Sequence, residues 1–369
     1  IYFLIIMGNC YCKNKNNIVT LYWKNNNIKF QGEYSNNKRN GIGIEFNENG
    51  NKFYEGQWYN NKKEGFGILY RKNGYKLYEG IFKNNLKDNL GKEYINNNYL
   101  IFDGYYKNNL KNGFGILYSN INNYILYEGE WKDNEKNGFG KLYDNNILKY
   151  EGNFYCDQII EGIEYYNNKK KKYDGEFIYN YYKKGTLYNI DETKFYEGEF
   201  LHGLMSGLGI LYSNGSIVYK GEFYNNEKNG KGTEYLNNSV YYDGFFNKNI
   251  KEGKGKLYID NTLYDGEFED NSKNGYGKYY INNKLIYNGI WLNDKYDGEG
   301  KFYNEEILFY DGQFRKGLKH GKGSILFKNG NILYEGYWIN DQAWGYGIEY
   351  NISGDIMYEG KWEYNKKID

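Results

Sequence analysis

The chain has 369 residues, and its 48 Lys and Arg against 47 Asp and Glu leave no bulk charge with which to hold nucleic acid or an acidic polymer. Aromatic residues make up 21% of it, with 48 Tyr, 48 Gly and no Pro, which excludes a disordered chain. Three cysteines, Cys10, Cys12 and Cys156, are too few for a disulfide framework and point to a reducing compartment, and no run approaches the ~20 apolar residues of a membrane-spanning helix.

Residues 1–29 form an amino-terminal segment with a partial leading strand, opening IYFLIIMGNCYCKNK. Ile1 is not a natural translation start, so the expectation is a fragment or a gene reading extended upstream. If synthesis begins at Met7, its removal exposes Gly8 as a myristoylation acceptor, with Cys10 and Cys12 as neighbouring palmitoylation candidates. One acyl chain holds a membrane weakly and a second makes the anchoring stable. Cys12 stands where such motifs usually carry Ser or Thr; the plainer alternative is a hydrophobic leader remnant with incidental cysteines.

From Phe30 onward the chain repeats itself. An aromatic, any residue, Gly, any residue and a second aromatic begin at Phe30, Tyr54, Tyr78, Phe102, Tyr127, Tyr150, Tyr173, Tyr196, Tyr219, Tyr242, Tyr264, Tyr287, Tyr310, Tyr334 and Tyr358, fifteen starts spaced 22 to 25 residues apart. Eleven residues after most starts comes a Gly-x-Gly, and a Tyr usually follows three residues later. The repeat residues expected to set the structure are Tyr54, Gly56, Trp58, Gly65 and Gly67, then Tyr127, Gly129, Trp131, Gly138 and Gly140, then Tyr334, Gly336, Trp338, Gly345 and Gly347. Asn89 replaces one first glycine, and Asn tolerates left-handed backbone. Leu326 stands where a Tyr is expected.

Two units, starting at Tyr150 and Tyr173, are one residue short, with Gly162 and Gly185 each early by one position. The expectation is a shortened hairpin loop, with Ile160 and Lys183 in the place of the first glycine. Between them lies the longest basic run, Lys169, Lys170, Lys171 and Lys172, which would contact an anionic lipid surface or simply be a solvated turn.

Within one unit, YEGEWKDNEKNGFGKLY at 127–143, Tyr127, Gly129 and Trp131 share one face and Glu128 and Glu130 the other, the period of a half-buried strand. KDNEKN is a polar turn region, and GFGKLY is the returning strand. Recurrent strand glycine implies either rings lying close over bare backbone or a bulge. Asn-Gly at 49–50, 73–74, 214–215 and 329–330 makes turns linking some units to the next. No long helix is expected. A lone hairpin is marginal in water, so residues 30–369 must be an array in which each unit buries its rings against its neighbours: an elongated antiparallel all-β ribbon of about fifteen stacked hairpins, the last truncated. Its outer edges are open, an invitation to self-association.

This unit resembles the MORN (membrane occupation and recognition nexus) repeat, which looks like YEGEWxxxxxxGxGxxxY, and the resemblance runs from Phe30 to Trp362. It implies a β-hairpin array without catalytic activity or cofactor, acting as a cytoskeletal, ciliary or membrane-contact scaffold that binds proteins, as junctophilins and radial-spoke proteins do. The same arrays also precede catalytic domains, as in plant phosphatidylinositol phosphate kinases and a histone lysine methyltransferase. The second reading is therefore the targeting array of a truncated lipid kinase.

The residues themselves offer no chemistry. His202 and His320 are five repeats apart and have no metal-ligand spacing. The Gly-x-Gly pairs lack the strand-to-helix context of a phosphate loop. Carboxylates recur directly after the first aromatic, from Glu55 and Glu79 to Glu359, and recurrence in nearly every unit marks a solvated face rather than a catalytic pair. The expectation is a non-enzyme at the inner face of a membrane or in the cytoplasm, without nucleic acid.

Overall fold

Alternation of ring and carboxylate commits each repeat start to an extended strand, because successive side chains on such a strand point to opposite faces. The computed structural model describes residues 18–368, almost entirely as antiparallel strands; among them the only helical segment is a 3₁₀ turn at Asn96–Asn98. The acylation candidates Gly8, Cys10 and Cys12 lie outside the described residues.

The chain divides into two compact units, residues 1–180 and 181–369. In the first, a leading strand β1 (Ile18–Tyr22) pairs with β2 (Ile28–Ser35), and β3 (Lys38–Phe46), β4 (Lys52–Tyr59), β5 (Lys62–Tyr70), β6 (Lys76–Lys83) and β7 (Leu86–Ile95) follow. They continue through β8 (Tyr99–Lys107), β9 (Leu110–Tyr118), β10 (Ile125–Lys132), β11 (Glu135–Asp144), β12 (Ile147–Tyr155), β13 (Gln158–Tyr165) and β14 (Lys171–Ile178). Each pairs antiparallel with the next. The second unit repeats the scheme from β15 (Tyr181–Tyr188) to β31 (Lys366–Ile368). Stacked hairpins are thus the architecture of each unit.

The turn inside a repeat is tighter than its polar stretch implies. Lys132 still belongs to β10 and Glu135 already to β11, leaving only Asp133 and Asn134, at φ 52° and 75°. Two consecutive left-handed residues make the hairpin turn whose twist matches the strands, and Asn and Asp accept that conformation most readily after Gly.

The two glycines of Gly-x-Gly do different work. Trp131 pairs with Lys136, whereas Gly129 pairs with Gly140, so β11 carries two more residues than β10 between those points. Gly138, at φ 96°, lies in this bulge, and Asn89 takes the same place at φ 60°. Gly140 instead lies across from Gly129, and a Cβ on it would stand 2.3 Å from the Tyr127 hydroxyl oxygen. Close approach and bulge, read as alternatives in the sequence, therefore coexist in one strand, at Gly140 and Gly138.

The short unit at Tyr150 requires a correction. Its turn, Cys156 and Asp157 at φ 48° and 64°, keeps both residues. Phe154 pairs with Ile159 and Asn153 with Glu161, so the missing residue comes from the bulge, which holds one extra residue instead of two. The loop is not shortened, and Ile160 does not stand in for a left-handed glycine.

The core lies on one face of the sheet. Phe30, Tyr54, Tyr78, Phe102, Tyr127 and Tyr173 in the first unit are fully buried, and the fifth-position rings from Trp58 onward nearly so, Tyr34 being half-buried. Tyr127 meets Trp131 of its own repeat edge to face at 5.2 Å and Phe154 of the next repeat at 5.3 Å. In the second unit Tyr196 likewise meets Phe200 at 5.0 Å and Phe223 at 5.2 Å. Such edge contacts suit the ring quadrupoles and add to the burial of apolar area, so each repeat completes its neighbour's core.

Candidate functional site

Three side-chain rows cover each unit, and all three arise from the repeat period. On the core face the rings are zipped and tied to backbone. Tyr127 donates its hydroxyl to the Glu130 carbonyl at 2.9 Å, and the same bond joins Tyr54 to Gln57, Tyr196 to Glu199 and Tyr287 to Ile290. The Trp58, Trp131 and Trp338 indoles donate to the carbonyls of Gly43, Gly115 and Gly323 in the preceding repeats. Burial first, and neighbouring carboxylates second, hold the hydroxyls of Tyr54, Tyr78 and Tyr127 well above the ordinary tyrosine range. Burial alone pushes Tyr334 up to about 12.

Over these rings lies a row of cations. Lys63 sits 5.0 Å from the Tyr54 ring centre, Lys111 4.6 Å from Phe102 and 5.0 Å from Trp131, and Lys319 4.6 Å from Trp338. Burial holds the amines of Lys63, Lys111, Lys273 and Lys319 below the ordinary lysine range, so these groups are core lids more than free surface charge.

On the opposite face stands the carboxylate row, each member engaged by its own array. Glu55 takes Lys52 at 2.8 Å and the Tyr70 hydroxyl at 3.1 Å; Glu128 accepts from Tyr143 at 2.7 Å; Glu335 accepts from Tyr350 at 2.6 Å. Burial, then the hydrogen bond to Glu55, raises Tyr70 to about 12. The recurrent Tyr after Gly-x-Gly is therefore the partner of the recurrent acid, on the surface side of the sheet.

A fourth pattern joins repeats at their turns. The Asn85 side-chain oxygen accepts the Lys63 amide at 2.8 Å, while the Asn85 amide donates to the Lys63 carbonyl at 3.0 Å. Asn109 grips Lys87, Asn134 grips Lys111 and Asn249 grips Lys228 in the same two-point way. The ladder has ended at those residues, so their outward backbone groups would otherwise lack protein partners. Both the Asn and the gripped cation recur in the sequence, seven and nine residues after the first aromatic. That signal went unread.

The basic run spans a turn and the start of β14. Lys169 occupies a turn at φ 67°, Lys171 pairs with Asp174 at 3.1 Å, and Lys172 pairs with Glu164 at 2.7 Å; the Lys170 amide donates to the Asn168 side chain. In the second unit a groove of about 750 Å³ is floored by Gly198, Gly209, Gly221 and Gly232 and rimmed by Glu197, Lys220, Glu222, Lys231 and Asp243. Its floor is bare backbone whose other side carries the tyrosine rings. His202 lies in a turn beside the Tyr181 ring, and His320 is in a different strand, away from it in the sheet order. Among the described residues no three His, Cys, Asp or Glu converge as metal ligands.

Comparison with known proteins agrees with this geometry. The MORN repeat model matches residues 30–52, 54–74, 78–98, 102–124, 127–146, 196–217, 219–239, 242–262, 264–285, 287–304, 310–332 and 334–356, well over half the chain. It passes over the two short units, starting at Tyr150 and Tyr173, and the one starting at Tyr358. No curated protein matches the chain. A solved structure titled "Crystal Structure of TcdB2-TccC3-TEV" matches at 9% identity with a TM-score of 0.14, covering 94% of this chain and 18% of that one, and carries no argument. Twelve matched repeats and the hairpin geometry beneath them place the chain in the MORN repeat family.

Proposed function

We propose that this chain is a non-catalytic scaffold that binds proteins along its repeats and holds them at a membrane or a cytoskeletal element. The observation that supports this most is the recurrence of one surface: acid, tyrosine and lysine side chains satisfy one another in repeat after repeat, so no repeat is set apart for chemistry. A catalytic constellation is placed once; a docking surface gains from repetition.

Membrane attachment in this reading comes from acylation at Gly8 with Cys10 or Cys12, with Lys169 to Lys172 as a secondary contact for anionic lipid. The test is metabolic labelling with a myristate analogue of a Met7-initiated chain beside its Gly8→Ala version, followed by membrane fractionation and proximity labelling. Label on Gly8, with membrane recovery and the neighbouring proteins both changing in Gly8→Ala, is the expected result. An unlabelled chain removes the tether, and turnover of a substrate by the purified protein overturns the scaffold.

A further inference from the structure

The middle residue of Gly-x-Gly points away from the ring zipper. In the first unit that place holds Ile42, Phe66, Leu90, Phe114 and Phe139, each 40 to 61% exposed. The second unit breaks the row with charge at the same place, as Lys231, Lys254, Glu299 and Lys322. Register makes the first row nearly continuous: Phe66 lies across from Ile81, and Leu90 across from Tyr105, itself 42% exposed. A Cβ on Gly113 would meet the Tyr105 Cβ at 3.1 Å, which brings Phe114 into the same line.

We infer that this row is a docking face for a second copy of the chain. Two observations choose that occupant. The first is area: about six side chains left half exposed offer on the order of 600 Å² of apolar surface per copy, so pairing two rows buries ~1,200 Å², above the ~1,000 Å² a specific interface needs. The second is the order of charge along two of the strands that cross the row, at its centre. On this face β6 presents Glu79, Ile81 and Lys83, and β8 presents Asp103, Tyr105 and Lys107: acid, apolar, base. A two-fold axis along the row lays each apolar line on its copy and sets the acid flank of one over the lysine flank of the other. Lys76 and Lys92, which already pair with Glu79 and Asp103, stand on the same acid flank. The association is therefore led by the apolar row and oriented by Lys83 and Lys107.

The mode is distinct from strand pairing at sheet edges, and its test separates the two. Sedimentation equilibrium of the full chain is compared with Leu90→Lys/Phe114→Lys, with Lys83→Glu/Lys107→Glu, and with Tyr276→Lys/Tyr346→Lys in the second unit. Lysine at this place is already carried by Lys231, Lys254 and Lys322, so the first variant keeps its strands, which circular dichroism verifies. Expected are a dimer for the parent chain, a dissociation constant raised ~100-fold or more by the row variant and ~10-fold by the charge variant, and no change for the second-unit variant. A monomeric parent chain overturns the proposal, whether or not it floats with vesicles or captures another protein. So does a dimer indifferent to both first-unit variants.

Discussion

Tyr54 and Phe82 belong to consecutive repeats, yet their rings meet edge to face with centres 5.2 Å apart and planes at 90°. Tyr54 also meets Trp58 of its own repeat at 5.1 Å, so one ring closes its hairpin and the next. The consequences for stability follow from how tightly these rings lie on the backbone.

Gly67 carries the most direct steric claim. A Cβ there would stand 2.2 Å from the Tyr54 hydroxyl oxygen and 2.5 Å from its ring, whereas a Cβ on Gly74 meets nothing within 4 Å and suffers only from its φ of 86°. Gly67→Ala should cost about 2–3 kcal/mol by overpacking, and Gly74→Ala about 1 kcal/mol for the left-handed backbone, measured by urea denaturation. Equal costs would mean that the ring is free to move.

The tyrosine hydroxyl is separable from the ring. Tyr127→Phe loses the bond to the Glu130 carbonyl and should cost about 0.5–1.5 kcal/mol, while Tyr127→Ala, which empties the zipper, should cost about 3–5 kcal/mol. Phe30 and Phe102 at the same place are fully buried without a hydroxyl, which is why the first change is expected to fold.

The turn hook makes a graded prediction. Asn109 accepts the Lys87 amide at 2.7 Å and has φ 71°. Asn109→Gly keeps that backbone and loses only the side-chain bond, about 1 kcal/mol, whereas Asn109→Ala also strains the backbone and should cost about 2–3 kcal/mol. Gly317, at φ 90° and still donating to the Tyr296 carbonyl, shows that glycine serves in this place. Thermal melts of the two variants decide it.

Alkaline pH should unfold the array through its tyrosines. Folding raises Tyr54, Tyr78 and Tyr127 above the ordinary tyrosine value of 10.0 and brings Tyr70 to about 12. A group whose folded pKa lies above its unfolded one contributes fully below the unfolded value and loses that contribution as pH rises through the folded one. Stability should therefore hold to about pH 10 and fall from there to beyond pH 12, with buried tyrosinate absorbance at 295 nm appearing together with loss of the β signal. Gradual ionisation of every tyrosine near pH 10 with the fold intact would contradict the burial of these hydroxyls.

Much of this was legible in the residues, for physical reasons that differ by element. Ring-acid alternation from Tyr127 to Trp131 forces a strand and the polar stretch KDNEKN marks the turn, so the hairpins could be read directly, while the tightening of that turn to Asp133 and Asn134 appears only in the backbone. The dual use of glycine was readable only as two alternatives, because Gly138 and Gly140 look identical until register sets one in a bulge and the other under a ring. The shortened unit was misplaced: a residue missing between Phe154 and Gly162 shortens turn or bulge equally well in a sequence, and only pairing locates it. The hook of Asn85 on Lys63 escaped because its two ends lie 22 residues apart. The exposed row has no counterpart in the sequence reading: Leu90 and Phe114 lie in different repeats, and only register sets them on one face.

A double-mutant cycle on Tyr54→Leu and Phe82→Leu addresses the ring that joins one repeat to the next. Leucine keeps apolar volume and removes the edge-to-face contact, so the coupling energy isolates the bridge between repeats. Coupling of about 0.5–1.5 kcal/mol from equilibrium unfolding is the predicted result. Additive effects of the two changes, within about 0.3 kcal/mol, would show that the repeats do not complete one another's cores.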